Sequence, residues 1–302
     1  MRKDISALVG LGNFGKNILR TLKEINWSPV IVCDTDPKKL EGLTETRLSN
    51  NLNDIINSGA DVVFVATPAK SHYQICETLL NAGKHVFVEK PITLSLRETN
   101  NLITIAKNNN CILSADYTFC WDVSTDWLKE QDFGDITSVS SIRTNWGSFE
   151  TDVGVIYDLA VHCISLAYSL FGLPISVQTF GSIDSQTNQN EEALVILKYK
   201  SFDFKSIVSR KSIHKTRLFE IHSSTGSYCV DYQNNKIFTS NTKLLYEVIL
   251  ERQPPLKKEL LYFRDVINGK KEQTNLSFHS NISAMVDAAE ESLERFGKEV
   301  VL

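Results

Sequence analysis

The segment FVEKP, residues 87–91, ends an apolar run with a lysine and a proline. Lysine is rarely buried unless its charge is paired, and proline cannot donate to a sheet ladder. In open α/β sheets, ligands bind outside the carboxyl ends of the strands, so a strand that ends here can present the ammonium of Lys90 to a ligand. We predict that Lys90, with Glu89 beside it, lies in a cofactor and substrate crevice.

A second candidate lies in VIYDLAVHC, residues 155–163. The pattern predicts a helix from about Val155 to Leu170, in which Asp158 and His162 are four residues apart and point from the same face. An acid and an imidazole side by side can accept and release a proton. The same spacing is also typical of a salt bridge on a helix surface. The pair is interpreted as a proton-transfer pair only because the chain also contains Lys90 at a strand end and a dinucleotide motif.

That motif is ALVGLGNFG, residues 7–15, in which the glycines have the spacing G-x-G-x-x-G. It follows the first apolar strand and opens a helix, which is the context in which the motif indicates a dinucleotide site. Gly10 permits the tight turn, Gly12 lets a pyrophosphate approach the backbone, and Gly15 lets the helix pack close to the strand. Asn13 and Phe14 complete the predicted cofactor-binding turn.

Asp34 closes the second strand, VIVCD, where the motif requires an acidic residue. Its carboxylate can accept hydrogen bonds from the adenosine ribose and would repel a 2′-phosphate. This favours NAD over NADP as the cofactor. Thr35 and Lys38 could each contact that phosphate, so NADP is the alternative.

VATPAKSH, residues 65–72, ends another strand and begins a helix. Thr67, Pro68 and His72 are therefore predicted to lie beside the cofactor. His72 could equally be a helix-terminal residue without a chemical role. His85 precedes an apolar strand at the opposite end of the sheet and is predicted to be structural.

The elements that position these residues change in type along the chain. Short apolar segments alternate with helical patterns up to about residue 115, which predicts a doubly wound parallel α/β sheet. The predicted strands are Ile5–Val9, Val30–Cys33, Val62–Ala66, Val86–Val88 and Cys111–Leu113, and the clearest helices are Lys16–Glu24, His72–Asn81 and Leu96–Asn109.

The rest of the chain predicts an α+β region with a large, mainly antiparallel sheet. Its strands are rich in β-branched and aromatic residues: Ile136–Asn145, Ala193–Tyr199, Phe202–Ser212, Arg217–His222 and Tyr228–Tyr232. Two late helices follow, one behind Pro254 and one from about Asn281. We predict two domains, a dinucleotide-binding domain at 1–116 and a substrate-binding and oligomerisation domain at 117–302.

Composition narrows the class of protein. The 302 residues have a net charge of −4, with 42% hydrophobic and 23% charged residues, which gives no electrostatic reason to expect nucleic acid or an anionic membrane as partner. No apolar run approaches the ~20 residues of a membrane span, and no signal peptide is evident. The six cysteines contain no C-x-x-C pair, so neither a metal site nor a disulfide framework is expected, and a cytoplasmic location is predicted.

These motifs together resemble one family. GLGNFG, ATPAKSH, GKHVFVEKP, the D-x-x-x-H of DLAVH and the following LAYSLFG are similar to the glucose–fructose oxidoreductase, inositol dehydrogenase and rhizopine catabolism (Gfo/Idh/MocA) family, and the C-terminal pattern resembles its sugar-nucleotide branch. The resemblance implies a Rossmann domain, an open-faced mixed sheet that packs in homodimers or homotetramers, and an active site between the domains. It implies that Lys90 and His162 are catalytic, that Asp158 assists, and that the Lys90–Pro91 peptide bond is cis.

The function implied is that of an NAD-dependent dehydrogenase acting on a secondary alcohol of a sugar, cyclitol or nucleotide sugar. His162 would take the hydroxyl proton while Lys90 holds the oxygen. An inositol or free-sugar dehydrogenase is the alternative within this class, and a cofactor-binding regulator without turnover is the alternative outside it. The basic residues Arg210, Lys211, Lys215 and Arg217 could meet a substrate phosphate or could be solvated charges on the sheet surface.

Overall fold

The computed structural model describes residues 5–44, 46–147, 152–184, 189–241 and 244–302. The chain forms two compact units. The first takes in the chain up to Thr118 and then Pro254–Ser283, and the second takes in Phe119–Gln253 and Ala284–Leu302. The predicted boundary at residues 116 and 117 did not anticipate that Pro254–Ser283 belongs to the first unit. The assignment of cofactor binding and substrate binding to separate domains stays a prediction.

The regular elements alternate in the first part of the chain and become mainly strands in the second. In chain order they are β1 Ser6–Val9, α1 Asn13–Glu24, β2 Ile31–Cys33, β3 Arg47–Ser49, α2 Leu52–Ile56, β4 Val62–Val65, α3 His72–Asn81, β5 His85–Val88, α4 Leu96–Asn108, β6 Leu113–Ala115, α5 Val123–Lys129, β7 Ile136–Trp146, a π-helical turn Ile156–Ala160, α6 Val161–Phe171, β8 Ser176–Asp184, β9 Gln189–Lys198, β10 Asp203–Ser209, β11 Lys211–Ser223, β12 Ser227–Asp231, β13 Lys236–Ser240, β14 Leu245–Val248, α7 Pro255–Ile267, α8 Ser277–Glu294 and β15 Val300–Val301. Short 3₁₀ turns occur at Pro37–Leu40, Ala69–Ser71 and Thr118–Trp121.

The first unit contains a six-stranded sheet in the order β3-β2-β1-β4-β5-β6, and every neighbouring pair is parallel. All four residues of β1 and of β4 are buried, as expected for a parallel sheet covered on both faces. The strand order reverses between β1 and β4. Ligands bind outside the carboxyl ends of the strands at such a switch point. The loops after β1, β2, β4 and β5 are therefore expected to line the ligand-binding crevice.

Helix α7 completes the core of the first unit. The rings of Phe64 in β4, Phe87 in β5 and Phe263 in α7 contact one another, with centroids 5.8, 6.2 and 5.3 Å apart for the three pairs. Leu260 of α7 is also buried in this cluster. Burial of each such side chain contributes roughly 1.5–3 kcal/mol. This explains why a helix that lies late in the chain belongs to the first unit.

The second unit contains a nine-stranded sheet in the order β14-β13-β12-β11-β7-β10-β9-β8-β15. Only β7 and β10 pair in parallel, and the other neighbours are antiparallel. Buried and less buried residues alternate along β10, as expected for a sheet with one covered face. On the other face, an apolar row crosses five strands in register and comprises Phe180, Leu194, Ile207, Ile142 and Leu218.

The predicted fold class is confirmed: a doubly wound parallel sheet is followed by a large mixed, mainly antiparallel sheet. The predicted strand Cys111–Leu113 is displaced, because the N–H of Cys111 donates to Ala106 O at 2.8 Å and closes α4, so that β6 begins at Leu113. Several short elements, including β3, α2 and β15, were not predicted. No helix in the described part of the chain is both long and apolar enough to cross a membrane.

Candidate active site

The turn after β1 has the geometry of a phosphate-binding loop. Gly10 has a φ of +91°, and a Cβ there would lie 2.4 Å from the carbonyl oxygen of Ala66, so only glycine fits. A Cβ at Gly15 would lie 2.1 Å from Gly10 O, which explains the close packing of α1. Among the described residues, a Cβ at Gly12 would meet nothing within 4 Å, and no side chain caps α1. This open helix N-terminus fits an anionic pyrophosphate.

Asp34 is fixed next to the glycine loop. The residue is 7% exposed, and its two carboxylate oxygens accept hydrogen bonds from the backbone N–H groups of Leu11 at 2.7 Å and Asp36 at 2.9 Å. The Nζ of Lys39 lies 3.7 Å from Asp34 Oδ1. The carboxylate is therefore held rigidly in a position from which it can also accept from a ribose. Lys39 is the basic neighbour, and the sequence analysis had named Lys38 instead.

A cleft of about 460 Å³ lies along the carboxyl ends of β1, β2 and β4. Its lining includes seven of the predicted cofactor-binding residues, namely Gly10, Gly12, Asn13, Phe14, Asp34, Thr67 and Pro68, together with Thr35, Lys39 and Asn50. Gly15, His72, Glu89 and Lys90 lie outside this lining. The volume is in the range of about 300–1,000 Å³ typical of small-molecule sites. Contact of any of these residues with a cofactor stays a prediction.

His72 is buried between two backbone carbonyl groups. Its Nδ1 lies 2.8 Å from Pro91 O, and its Nε2 lies 2.8 Å from Thr67 O. Thr67 follows β4 and Pro91 follows β5, so the imidazole bridges the two loops that leave neighbouring strands. The structure therefore places His72 where it positions these loops.

Lys90 lies at the carboxyl end of β5 and is half-buried. The Lys90–Pro91 peptide bond is cis, as the resemblance implied. On the neighbouring strand end, the N–H of Asp116 donates to Val88 O at 2.8 Å, and the Asp116 side chain is buried. Burial raises the pKa of this carboxyl, while hydrogen bonds with Glu259 and Thr118 and the charge of Lys90 partly lower it.

Asp116 is thus a buried acidic residue within the electrostatic influence of Lys90, and the sequence analysis missed it. The available signal was its position directly after a parallel strand in SADYTF, since side chains at such strand ends line the crevice. Glu259 of α7 also reaches this corner, where its Oε1 accepts from the N–H of Tyr117 at 3.1 Å. The first unit therefore places two buried carboxyl groups, those of Asp116 and Glu259, together at this corner, and the charge of Lys90 acts on Asp116.

Asp158 and His162 are not on one continuous α-helix. Residues Ile156–Ala160 form a π-helical turn, and α6 begins only at Val161. The predicted helix is therefore present but contains a π turn, in which positions four residues apart still lie close to one face, so the shared face of Asp158 and His162 stays a prediction. His162 packs edge-on against Phe119, with ring centroids 5.3 Å apart. Single π turns of this kind occur frequently at functional sites.

Asn190 of β9 positions the start of the π turn. Its Oδ1 accepts a hydrogen bond from the N–H of Ile156 at 3.2 Å, and its amide occupies the space that a Cβ at Gly154 would need, at 2.7 Å. The amide nitrogen also donates to Glu290 of α8 at 3.3 Å. Burial raises the pKa of Glu290 to about 7. The geometry of the Asp158 turn therefore depends on residues far away in sequence.

Arg210 supports Asp158 from inside the unit. Its side chain is 0% exposed, and its Nε and Nη2 donate to the two carboxylate oxygens of Glu191 at 3.0 and 3.2 Å. Its Nη1 lies 3.8 Å from Asp158 Oδ2. The sequence analysis considered Arg210 either a solvated surface charge or a contact of a substrate phosphate. The buried ion pair with Glu191 fits neither interpretation. Lys211 and Lys215 are exposed.

His162 lines a small cavity in the second unit with residues of which the sequence analysis considered only Arg217, as a possible contact of a substrate phosphate. This cavity also contains Phe119, Arg143, Arg217 and Tyr232. Arg143 and Arg217 come from β7 and β11, which are far apart in the chain but adjacent in the sheet. Only the pairing of these strands brings the two arginines together beside the imidazole. Among the described residues, no cluster of histidine, cysteine or acidic side chains could hold a metal ion.

Comparison with known proteins places this geometry in context. Residues 6–117 match the profile described as an oxidoreductase family with an NAD-binding Rossmann fold, and residues 124–229 match the GFO/IDH/MocA C-terminal domain. An uncharacterized oxidoreductase of Escherichia coli strain K12, YdgJ, is 28% identical over 191 residues, 56% of this chain and 53% of that protein. The scyllo-inositol 2-dehydrogenase (NADP(+)) IolW of Bacillus subtilis is 27% identical over 53% of this chain and 48% of its own length.

A third relative is the UDP-N-acetylglucosamine 3-dehydrogenase of Acidithiobacillus ferrooxidans, 22% identical over 77% of this chain and 75% of that protein. Its crystal structure superposes with a TM-score of 0.87 over 96% of this chain and 98% of the other. The matched part of this chain spans about half the length of YdgJ and of IolW. The two profile matches together cover most of the chain, and the chain therefore belongs to the Gfo/Idh/MocA family of oxidoreductases.

Proposed function

We propose that this protein is an NAD-dependent oxidoreductase that transfers hydride between a nicotinamide cofactor and a secondary alcohol of a sugar or nucleotide sugar. The observation that carries the proposal is the fit of the first unit to a dinucleotide. The open turn at Gly12 and the rigid carboxylate of Asp34 line one cleft. When bound, the nicotinamide supplies the group that exchanges hydride with the alcohol carbon. The chain must bind and orient the substrate and move one proton.

Three side chains are proposed to carry the proton chemistry. Lys90 holds the alcohol oxygen and stabilises the negative charge that develops there, since an ammonium is a compact donor. The imidazole of His162 takes the hydroxyl proton. Asp158 assists through its charge and is itself held by Arg210 at 3.8 Å. Positioned acid–base catalysis of this kind typically contributes about 10²–10⁴-fold.

The preference for NAD over NADP is proposed from Asp34. Its carboxylate is fixed by two backbone donors, so it cannot easily turn away from a 2′-phosphate, and the repulsion would persist. Lys39, at 3.7 Å, offers partial compensation. The relative IolW is named as NADP-dependent, and fluorescence titration of this protein with NADH and NADPH tests the preference.

The substrate class rests on the relatives. Similarity to UDP-N-acetylglucosamine 3-dehydrogenase supports a nucleotide sugar as the substrate of this protein. Similarity to the inositol dehydrogenase IolW supports the alternative, a cyclitol or free-sugar substrate.

We further propose a homodimer or homotetramer formed through the C-terminal sheet. Phe180 and Ile207, at 45% and 50% exposure, belong to the apolar row on its uncovered face. Sedimentation of Ile207→Lys against the unmodified protein tests this, because loss of the larger species is expected.

The catalytic proposal is tested by a spectrophotometric screen of NAD and NADP against sugars, cyclitols and UDP- or dTDP-sugars, followed by His162→Ala. We expect that substitution to lower turnover by about two to four orders of magnitude while NADH affinity stays close to normal. The exposed His222, on β11, provides the control His222→Ala, which should keep full activity. Tight NADH binding without turnover of any compound would favour the regulator alternative. Equal loss of binding and turnover in His162→Ala would make the residue structural.

A further inference from the structure

Arg143 and Arg217 face each other across two paired strands. They are directly opposite in the register of β7 and β11, and both stand near the ring of Phe119, with their guanidinium carbons 4.2 and 5.9 Å from its centroid. Like charges directly opposite on a sheet repel each other and destabilise it. Two cations at this position therefore need a physical explanation.

Arg143 is buried, and one nitrogen of its guanidinium has no hydrogen-bond acceptor in the described part of the chain. The residue is 8% exposed, and its Nε is enclosed with no partner among the described residues. Burial lowers the pKa of Arg143 to about 10, with the charge of Arg217 lowering it further and that of Asp158 opposing the shift. The group stays cationic at neutral pH. Arg217, half-buried beside it, likewise forms no ion pair within the described part of the chain.

Stabilisation of the fold does not account for the pair. A cation–π contact with Phe119 contributes less than the desolvation of an unpaired buried charge costs. The nearby anion Asp158 lies 3.8 Å from Arg210, so part of its charge is already compensated. A residue pair that opposes stability is typical of a binding site, where a ligand supplies the missing charge.

The cavity that these residues share with His162 has a volume of about 20 Å³. This is enough for about one water-sized group. A whole sugar ring cannot enter, but an oxygen of a carboxylate or phosphoryl group can. The planar guanidinium fork matches both anions with two parallel hydrogen bonds.

We propose that Arg143 and Arg217 form an anion subsite, beside His162, for a carboxylate or phosphoryl group of the substrate. This inference rests on the proposed function, because it takes the anion to be part of the molecule whose alcohol is oxidised. It narrows the substrate to acidic compounds such as a sugar acid, a sugar phosphate or a nucleotide sugar. Neutral sugars and cyclitols would leave the two cations uncompensated.

Binding is measured by thermal shift and calorimetry, so that no turnover is needed. The probes are matched sets: glucose, glucuronate, glucose 6-phosphate and UDP-glucose, with the galactose equivalents. We expect an acidic member of a set to stabilise the full chain more than its neutral parent. Comparison of glucuronate with the phosphorylated probes shows whether the subsite binds a carboxylate or a phosphoryl group. Stronger binding by the neutral member throughout, or no binding by any acidic probe, overturns the proposal.

Arg143→Met and Arg217→Met are the decisive variants, with Lys215→Met, an exposed residue of β11, as the matched control. Each arginine variant should bind the acidic probe about 10- to 100-fold more weakly, the effect expected when hydrogen bonds to a charged group are lost. The control should bind normally. Arg143→Lys, which keeps the charge but lacks the fork, should fall between them. Unchanged affinity in both methionine variants overturns the proposal.

Melting temperature separates binding from structure. Because Arg143 is a buried cation with no ion pair among the described residues, Arg143→Met should melt at the same temperature as the unmodified protein or higher. A clear drop in melting temperature with unchanged probe affinity would make Arg143 a structural residue. Turnover is scored separately. If the protein oxidises a neutral sugar and neither methionine variant changes that rate, the proposed dehydrogenase function is supported and only the anion subsite is refuted.

Discussion

Replacement of Arg210 by methionine is expected to destabilise the second unit by about 3–5 kcal/mol, the cost of removing one partner of a buried ion pair. The side chain is fully enclosed, and its Nε and Nη2 donate to both oxygens of Glu191, which is itself only 5% exposed. The Nη2 group also donates to Gln189 Oε1 and to Asn190 O, both at 3.4 Å. Methionine fills much of the volume but leaves the carboxylate of Glu191 buried without a cation.

The size of the effect follows from burial and not from the ion-pair distance. Lys198 and Glu299 form an ion pair of the same length, 3.0 Å, but their side chains are 33% and 43% exposed. Because water solvates and screens such a pair, Lys198→Met should cost only about 0–1 kcal/mol. The double variant Arg210→Met/Glu191→Leu should recover more than half of the loss, since it removes the buried charge together with its partner.

Urea unfolding followed by circular dichroism and by tryptophan fluorescence measures these differences. For a unit of this size, about 3–5 kcal/mol corresponds to a fall in melting temperature on the order of 10 °C. A loss below about 1 kcal/mol, or a loss equal to that of Lys198→Met, would refute the reasoning. Failure of the double variant to recover stability would show that the loss in Arg210→Met comes from packing and not from the unpaired charge.

The other predictions concern the first unit. Lys90→Arg and Lys90→Ala should both lose most turnover yet still bind NADH, because arginine is a larger planar fork that cannot release a proton. Full activity in Lys90→Arg would show that charge alone suffices. Asp34→Ala should weaken NADH binding by about 10- to 100-fold, the effect of losing hydrogen bonds to a charged group, and should reduce the preference over NADPH. Fluorescence titration measures both, and equal affinities in the unmodified protein would exclude the role assigned to Asp34. His279 is buried and stacks on Tyr117, and burial lowers its pKa from 6.5 to about 4. The unfolded chain therefore binds a proton between these pH values that the folded chain does not, so stability should fall by up to about 3 kcal/mol as pH drops from 6.5 to 4. His279→Phe should flatten that dependence in urea titrations at pH 7, 6 and 5, and a parallel dependence in both proteins would contradict it.

The sequence by itself was sufficient for features whose cause is local. The turn at Gly10 depends on a backbone conformation that glycine adopts readily, and Asp34 follows its strand directly, so both could be read from short segments. The α/β alternation and the later β-rich segments identified the fold class, because apolar periodicity reflects the surface that each element must bury. Lys90 could be recognised because a strand end is visible in sequence.

Tertiary structure decided what depends on strand pairing and on packing between distant segments. The π turn at Asp158 is held by Asn190, and no local pattern indicates a carboxamide supplied from another strand. Arg210 looked like a surface charge because its partner, Glu191, becomes its neighbour only when β9 and β10 pair. Arg143 and Arg217 are 74 positions apart in the chain and become opposite only in the register of β7 and β11. Burial and pairing decide the energy of a charge, and both are properties of the folded chain.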